Sequence, residues 1–90
     1  MRTIERTTRF KKDYKREAKT DAALDHVLVP VIELLMTDAD LPEHLRDHPL
    51  TGNWKGYRDC HVKPDLVLIY DRTDEVLSLV ILGSHNELFG

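Results

Sequence analysis

The chain has 90 residues and a mass of 10.5 kDa, which allows one small domain and excludes an enzyme built from two lobes around a cleft. An apolar fraction of 41% with 32% charged residues is globular rather than disordered. The net charge of −3 hides an asymmetry: residues 1–20 hold eight basic and three acidic side chains, net +5, and the remaining residues are net −8. A basic head on an acidic body points to a partner that carries negative charge.

A single cysteine, Cys60, excludes an internal disulfide and any zinc site built on paired cysteines. No apolar run approaches the roughly 20 residues that span a bilayer, and Met1–Arg6 lacks the apolar core of a signal peptide. The expectation is a soluble cytoplasmic protein forming a single domain over residues 1–90. A chain of this size has a thin stability margin, so a stabilising partner is unsurprising.

In chain order, Thr3–Arg6 reads as a short strand. Thr7 or Thr8 can cap a helix with Phe10, Tyr14 and Ala18 at spacing four and a heavily basic remainder. Asp21 can cap a second helix, in which Leu24, Val27, Leu28, Val31 and Leu35 share a face. Pro30 lies inside that pattern and predicts a kink or a break. Thr37–Asp40 ends the helix. Leu41–Gly56 reads as an ordered loop, with one helical turn at Glu43–Arg46. Tyr57–Val62 alternates as a half-buried strand, Leu66–Tyr70 is a continuous apolar strand, and Val76–Leu82 is a third. Short turns at Lys63–Asp65 and Arg72–Glu75 make these an antiparallel meander. The predicted class is α+β: a small antiparallel sheet packed against two N-terminal helices, in the order (β)ααβββ.

Five histidines is a high count for this length. His26 lies in the helical segment and needs no function. His44, His48, His61 and His85 lie in or beside loops and strand ends, where sites concentrate. A meander brings His61 and Asp65 together across Pro64, and sets His85 and the loop carrying His48 at the same end. Imidazoles with a carboxylate suit proton transfer on a phosphodiester, taking the proton of a 2′-hydroxyl and returning one to the leaving 5′-oxygen. The substrate is then RNA, and no metal is required. Against this stands the plainer reading that scattered histidines are solvated or merely hydrogen-bonded. His44 and His48 share a metal-ligand spacing, but Pro42 and Pro49 bracket a loop there rather than a regular helix. The basic run Arg9, Lys11, Lys12, Lys15, Arg16 and Lys19 is either a solvated face or a set of phosphate contacts. Trp54 and Phe89 either anchor their segments on the core or stack on a base.

The stretch Asp47-His48-Pro49-Leu50-Thr51-Gly52-Asn53-Trp54-Lys55-Gly56-Tyr57-Arg58-Asp59 fits the pattern D-H-x-L-x-G-x-W-K-G-x-R-[DE], and Gly83-Ser84-His85-Asn86-Glu87-Leu88-Phe89 fits G-[ST]-H-x-x-L-F. With these the sequence resembles the YafQ branch of the RelE/ParE superfamily of bacterial type II toxins, specifically in residues 46–70 and 83–89 and loosely in residues 1–40. The resemblance implies a small sheet backed by two helices and a ribosome-dependent endoribonuclease that cuts mRNA. It implies catalytic roles for His48, His61, Asp65 and His85. His48 is the preferred base toward the 2′-hydroxyl, His85 and Asp65 serve the leaving group, and His61 orients or stabilises charge. It implies that Phe89 positions substrate, and Arg58 and Trp54 are grouped with it. The implied partners are the ribosome, mRNA and a cognate antitoxin, with no cofactor, no membrane and no direct DNA binding by this chain alone. Two rivals are a ParE-like toxin that binds DNA gyrase without catalysis, and an RNA- or antitoxin-binding module without turnover. The gyrase-binding branch does not carry this histidine and aspartate set.

Overall fold

Helical spacing in the first half and strand alternation in the second produce two layers. The computed structural model describes residues 2–89; Met1 and Gly90, the bounds of the expected domain, lie outside the described residues. The elements are β1 (Thr3–Arg6), α1 (Thr8–Thr20), α2 (Leu24–Met36), a 3-10 turn at Glu43–Leu45, β2 (His48–Pro49), a second 3-10 turn at Gly52–Trp54, β3 (Arg58–Lys63), β4 (Leu66–Arg72), β5 (Val76–Ser84) and α3 (His85–Phe89). The radius of gyration is 12.3 Å. No helix among the described residues is long and apolar enough to cross a membrane.

α1 starts where its cap residue dictates. The Thr7 hydroxyl oxygen accepts the Phe10 N–H at 2.9 Å and its O–H donates to the Val80 carbonyl at 2.6 Å, tying the helix start to β5. α2 departs from expectation at its start. Its cap is Ala23, and Asp21 instead accepts the Ala23 N–H and pairs with Lys63 at 2.6 Å. At Pro30, where a kink or a break is expected, the helix continues without a break. An interior proline costs about 3 kcal/mol, whereas each fully buried aliphatic contributes about 1.5–3 kcal/mol. Leu24, Leu28, Val31 and Leu35 are all buried on the sheet side while Pro30 faces solvent, so packing outweighs the lost bond.

The strands form one sheet in the order β1-β5-β4-β3-β2. The expected meander β3-β4-β5 is antiparallel, but β1 pairs parallel with β5, so the sheet is mixed rather than wholly antiparallel. The two helices supply the covered crossover that a parallel neighbour requires. Cross-strand partners share a face and alternate along each strand. Cys60, Leu66, Leu68, Tyr70, Leu77, Leu79 and Leu82 face the helices and join Phe10, Leu24, Leu28, Val31 and Leu35 in the core. The register steps past Val80, so that Leu79 and Leu82 both reach that core. Asp59, His61, Val67, Ile69 and Ile81 fall on the other face. The helices therefore seal one side of the sheet and leave the other for a site.

β1 ends opposite Leu79, which leaves the β5 edge bare beyond that point. α1 closes it. Asp13, 2% exposed, accepts the Leu82 N–H at 3.1 Å, and Arg16 donates to the Leu82 carbonyl at 3.3 Å. The carboxylate is held by Arg9 and Arg16, each at 3.2 Å. Its removal would leave a buried N–H unpaired and Arg9 without its partner, while Arg16 keeps Glu17 and Glu87, so Asp13→Ala is expected to lower the unfolding free energy by about 2–3 kcal/mol, read from the urea midpoint.

Candidate active site

The chain turns sharply before His48. Arg46 sits in the left-handed region at φ 50°, closing the 3-10 turn at Glu43–Leu45. A non-glycine residue there is strained by about 1–2 kcal/mol, and the turn carries its own carbonyl to within 2.7 Å of His48 Nδ1. β2 then pairs with β3, setting His48 opposite Asp59 and Pro49 opposite Arg58. His48 Nδ1 also lies 3.0 Å from Asp59 Oδ1. The imidazole is half exposed and the carboxylate is 2% exposed. Burial pushes the Asp59 carboxyl above the usual carboxylate range, and the neighbouring His48, His61 and His85 only partly oppose that shift.

His61 is two residues along β3 from Asp59, on the same face, with Nδ1 3.4 Å from the Pro64 carbonyl. His85 opens α3. Its ring centre is 6.1 Å from that of His61 and 5.1 Å from that of Phe89. Phe89 is 37% exposed, so its ring leans on His85 rather than plugging the core. Asp65 stands exposed in the β3–β4 turn, without a hydrogen bond or ion pair among the described residues. It precedes Leu66, whose strand partner Ser84 precedes His85. The three histidines thus gather around one buried carboxylate, with Asp65 at the end of the same strands. His44 is on the 3-10 turn, and no three His, Cys, Asp or Glu side chains among the described residues are arranged to hold a metal ion.

The residues grouped with substrate positioning divide. Arg58 is committed to Asp47, with Nη2 2.6 Å from Oδ2. The Tyr70 hydroxyl donates to the same carboxylate. Burial pushes the Asp47 carboxyl up, but the Arg58 and Tyr70 hydrogen bonds and the Arg58 and Arg72 charges outweigh it and hold the group below its ordinary value. Trp54 is half-buried and packs edge-on against Tyr57, ring centres 6.0 Å apart. Gly52 and Gly56 flank it at φ 65° and 98°, which accounts for two glycines of the motif as backbone requirements. The Cys60 thiol faces the core and is fully buried. Burial, with the Asp47 and Asp59 charges, pushes it up to about 12, so it is no nucleophile at neutral pH.

Asp59 was not among the expected residues. The signal was present in its spacing of two from His61, but an acidic residue on an alternating strand reads as solvated. Along α1, at roughly 100° per residue, Lys11, Lys15, Lys19, Lys12, Arg16 and Arg9 cover an arc of roughly 160°. Arg9 and Arg16 are bound to Asp13, whereas the four lysines form no ion pair among the described residues. Arg16 also reaches Glu87 of α3 at 3.6 Å, so the basic arc borders the histidines. On its other flank, Lys11 and Lys15 rim an apolar groove floored by Ile4, Phe10, Leu28 and Ile32.

Residues 2–90 match the family described as the bacterial toxin of type II toxin–antitoxin systems, YafQ. The mRNA interferase toxin YafQ of Escherichia coli K12 is 40% identical over 90 residues, which is all of this chain and 98% of that protein. The toxin in the E. coli DinJ–YafQ complex superposes with a TM-score of 0.89 at 42% identity, covering 100% of both chains. A copper-bound mutant toxin from Helicobacter pylori superposes with a TM-score of 0.92 at 39% identity, covering 99% of this chain and 100% of that one.

Asp47 tests the support under His48. A carboxyl held low in the fold contributes stability that is complete above its unfolded value, about 3.9, and is lost as pH falls through the lower folded value. Asp47→Asn is therefore expected to cost about 2 kcal/mol at pH 7, with the gap to wild type closing below about pH 4. Urea melts at both pH values read it.

Proposed function

The chain belongs to the YafQ family of bacterial toxins of type II toxin–antitoxin systems, and from that premise we propose that it is an endoribonuclease that cleaves mRNA on the ribosome by acid–base chemistry, with the substrate's own 2′-hydroxyl as nucleophile. The observation that carries this reading is the Arg46 carbonyl 2.7 Å from His48 Nδ1. A carbonyl oxygen only accepts, so Nδ1 holds the ring proton and Nε2 of the neutral imidazole is left with a free lone pair. That nitrogen takes the 2′-hydroxyl proton. The 2′-oxygen bonds to phosphorus, the bond from phosphorus to the 5′-oxygen breaks, and His85 returns a proton to that oxygen. The products are a 2′,3′-cyclic phosphate and a 5′-hydroxyl. Asp65, at the same end of the sheet as His85, serves the same leaving group, and His61 offsets the charge that builds on the phosphate oxygens. No metal or other cofactor enters this scheme.

The exposed face of Phe89 beside His85 offers a stacking surface for a base next to the scissile bond. The free lysines of α1 meet phosphates of ribosomal RNA or of the message. Such a substrate places the protein in the cytoplasm. Its partner is a cognate antitoxin, a reading supported by the E. coli relative that is seen in complex with DinJ.

Brief induction followed by mapping of mRNA 5′ ends tests the reaction. Wild type is expected to arrest growth and produce new 5′ ends, while His48→Ala and His85→Ala each lose about 100-fold or more in cleavage and relieve the arrest. Equal toxicity of all three proteins would instead indicate gyrase binding or RNA binding without turnover. Replacing Lys11, Lys12 and Lys15 together with Ala is expected to weaken ribosome binding most at low salt and to reduce the slope of log K against log salt by about 3. A salt-independent loss would place the lysines outside the contact.

A further inference from the structure

Asp59 has no part in the scheme above, yet it is a deeply buried charge at the centre of the site face. Its Oδ1 accepts no hydrogen bond among the described residues. The contrast with Asp47 is direct, since Asp47 has Arg58 and Tyr70. The groups that face Asp59 are His48 from β2, His61 from its own strand, His85 from α3 and the like charge of Asp47. A carboxylate buried without a hydrogen bond is unfavourable for folding, so stability does not account for it.

Resting on the reading of His48 as base, we propose that Asp59 is the positioning residue of the site: a buried counter-charge beneath the imidazoles that keeps His48 protonated at Nδ1 and stabilises the imidazolium formed when Nε2 takes the 2′-hydroxyl proton. In the resting ring the Nδ1–H points to the Arg46 carbonyl, and Asp59 Oδ1 waits 3.0 Å from the same nitrogen, off the N–H line. Once Nε2 is protonated the ring is a cation, and the attraction to Asp59 is present in full. The interaction is stronger after proton transfer than before, so it lowers the barrier to cleavage rather than tightening substrate binding. It also has a cost. A carboxyl raised by burial favours the fold in its protonated form, and that contribution fades as pH rises through the raised value.

Asp59→Asn separates positioning from structure, because the two effects have opposite sign. Single-turnover cleavage on programmed ribosomes is expected to fall about 100-fold at pH 7.5, with the ribosome concentration at half-maximal rate unchanged. The acidic limb of the pH–rate profile should move to lower pH, and the melting temperature at pH 8 should be equal to or above that of wild type. In a His48→Ala background the Asn substitution should add no further loss. A full cleavage rate, or a rate loss matched by a lower melting temperature, would overturn the proposal. Nitrogen-15 spectra of the imidazoles in the isolated toxin read the same point without cleavage. Wild-type His48, when neutral, is expected as the Nδ1–H form facing two acceptors, and Asp59→Asn as a mixture of both tautomers, because the Asn amide can donate to Nδ1 where the carboxylate only accepts. A wild-type ring protonated at Nε2 overturns the proposal even if the variant does not fold. If His48→Ala cleaves normally, the base assignment fails, and the tautomer result still decides what Asp59 does.

Discussion

Two residues of strand, His48 and Pro49, pair with Asp59 and Arg58, and on that short ladder the site depends. It sets an imidazole over a buried carboxylate and brings Asp47 within reach of Arg58 and Tyr70. The ladder stops where it does for a plain reason. Proline has no N–H to donate, so a strand containing Pro49 is suited only to the edge of a sheet. The left-handed Arg46 and the Asp47–Arg58 ion pair hold the approach to that edge, and the two left-handed glycines shape the exit from it. Strain and ion pairing at such a position are consistent with a site maintained against the preference of the backbone.

Helix and strand existence was legible from apolar spacing because the core faces are regular. The failures come from tertiary contacts. Pro30 lies on the solvent side of a helix held by four buried aliphatic residues, and nothing local in the sequence weighs those contacts against the lost bond. Asp21 has the right chemistry for a cap, but Lys63, forty-two residues away, captures its carboxylate. The parallel pairing of β1 with β5 joins the two halves of the chain and leaves no local trace. His48, His61 and His85 could be picked out from their places at loops and strand ends. The pairing of Arg58 with Asp47 could not be read from the sequence, because the β2–β3 turn alone makes them neighbours. Asp59 escaped notice because burial is a property of the assembled sheet.

Charge is sorted by the same assembly. Net acidity of the chain argues weakly against a polyanionic partner, but several of the acids are occupied. Asp13 closes a strand edge, Asp21 binds Lys63, Asp38 meets Arg2 and Asp47 meets Arg58. The lysines of α1 are left to project. Arg9 and Arg16 do two things at once: they neutralise the buried Asp13, and they keep much of their guanidinium surface in water. The fold thus converts a dispersed composition into a positive arc that ends, through Arg16 and Glu87, at the helix bearing His85.

Cys60 gives the sheet an unexpected practical property. With no exposed surface and a thiol pushed up to about 12, it stays in the protonated thiol form at pH 7. Maleimides, peroxide and mixed-disulfide reagents therefore pass it by while the sheet is closed. A cysteine introduced on the solvent side of α1 or α3 becomes the single reactive handle of the folded chain, with the native sulfur left in place. The same sulfur becomes reactive only when β3 leaves the sheet, so its labelling rate is a clock for opening of the strand that carries Asp59 and His61.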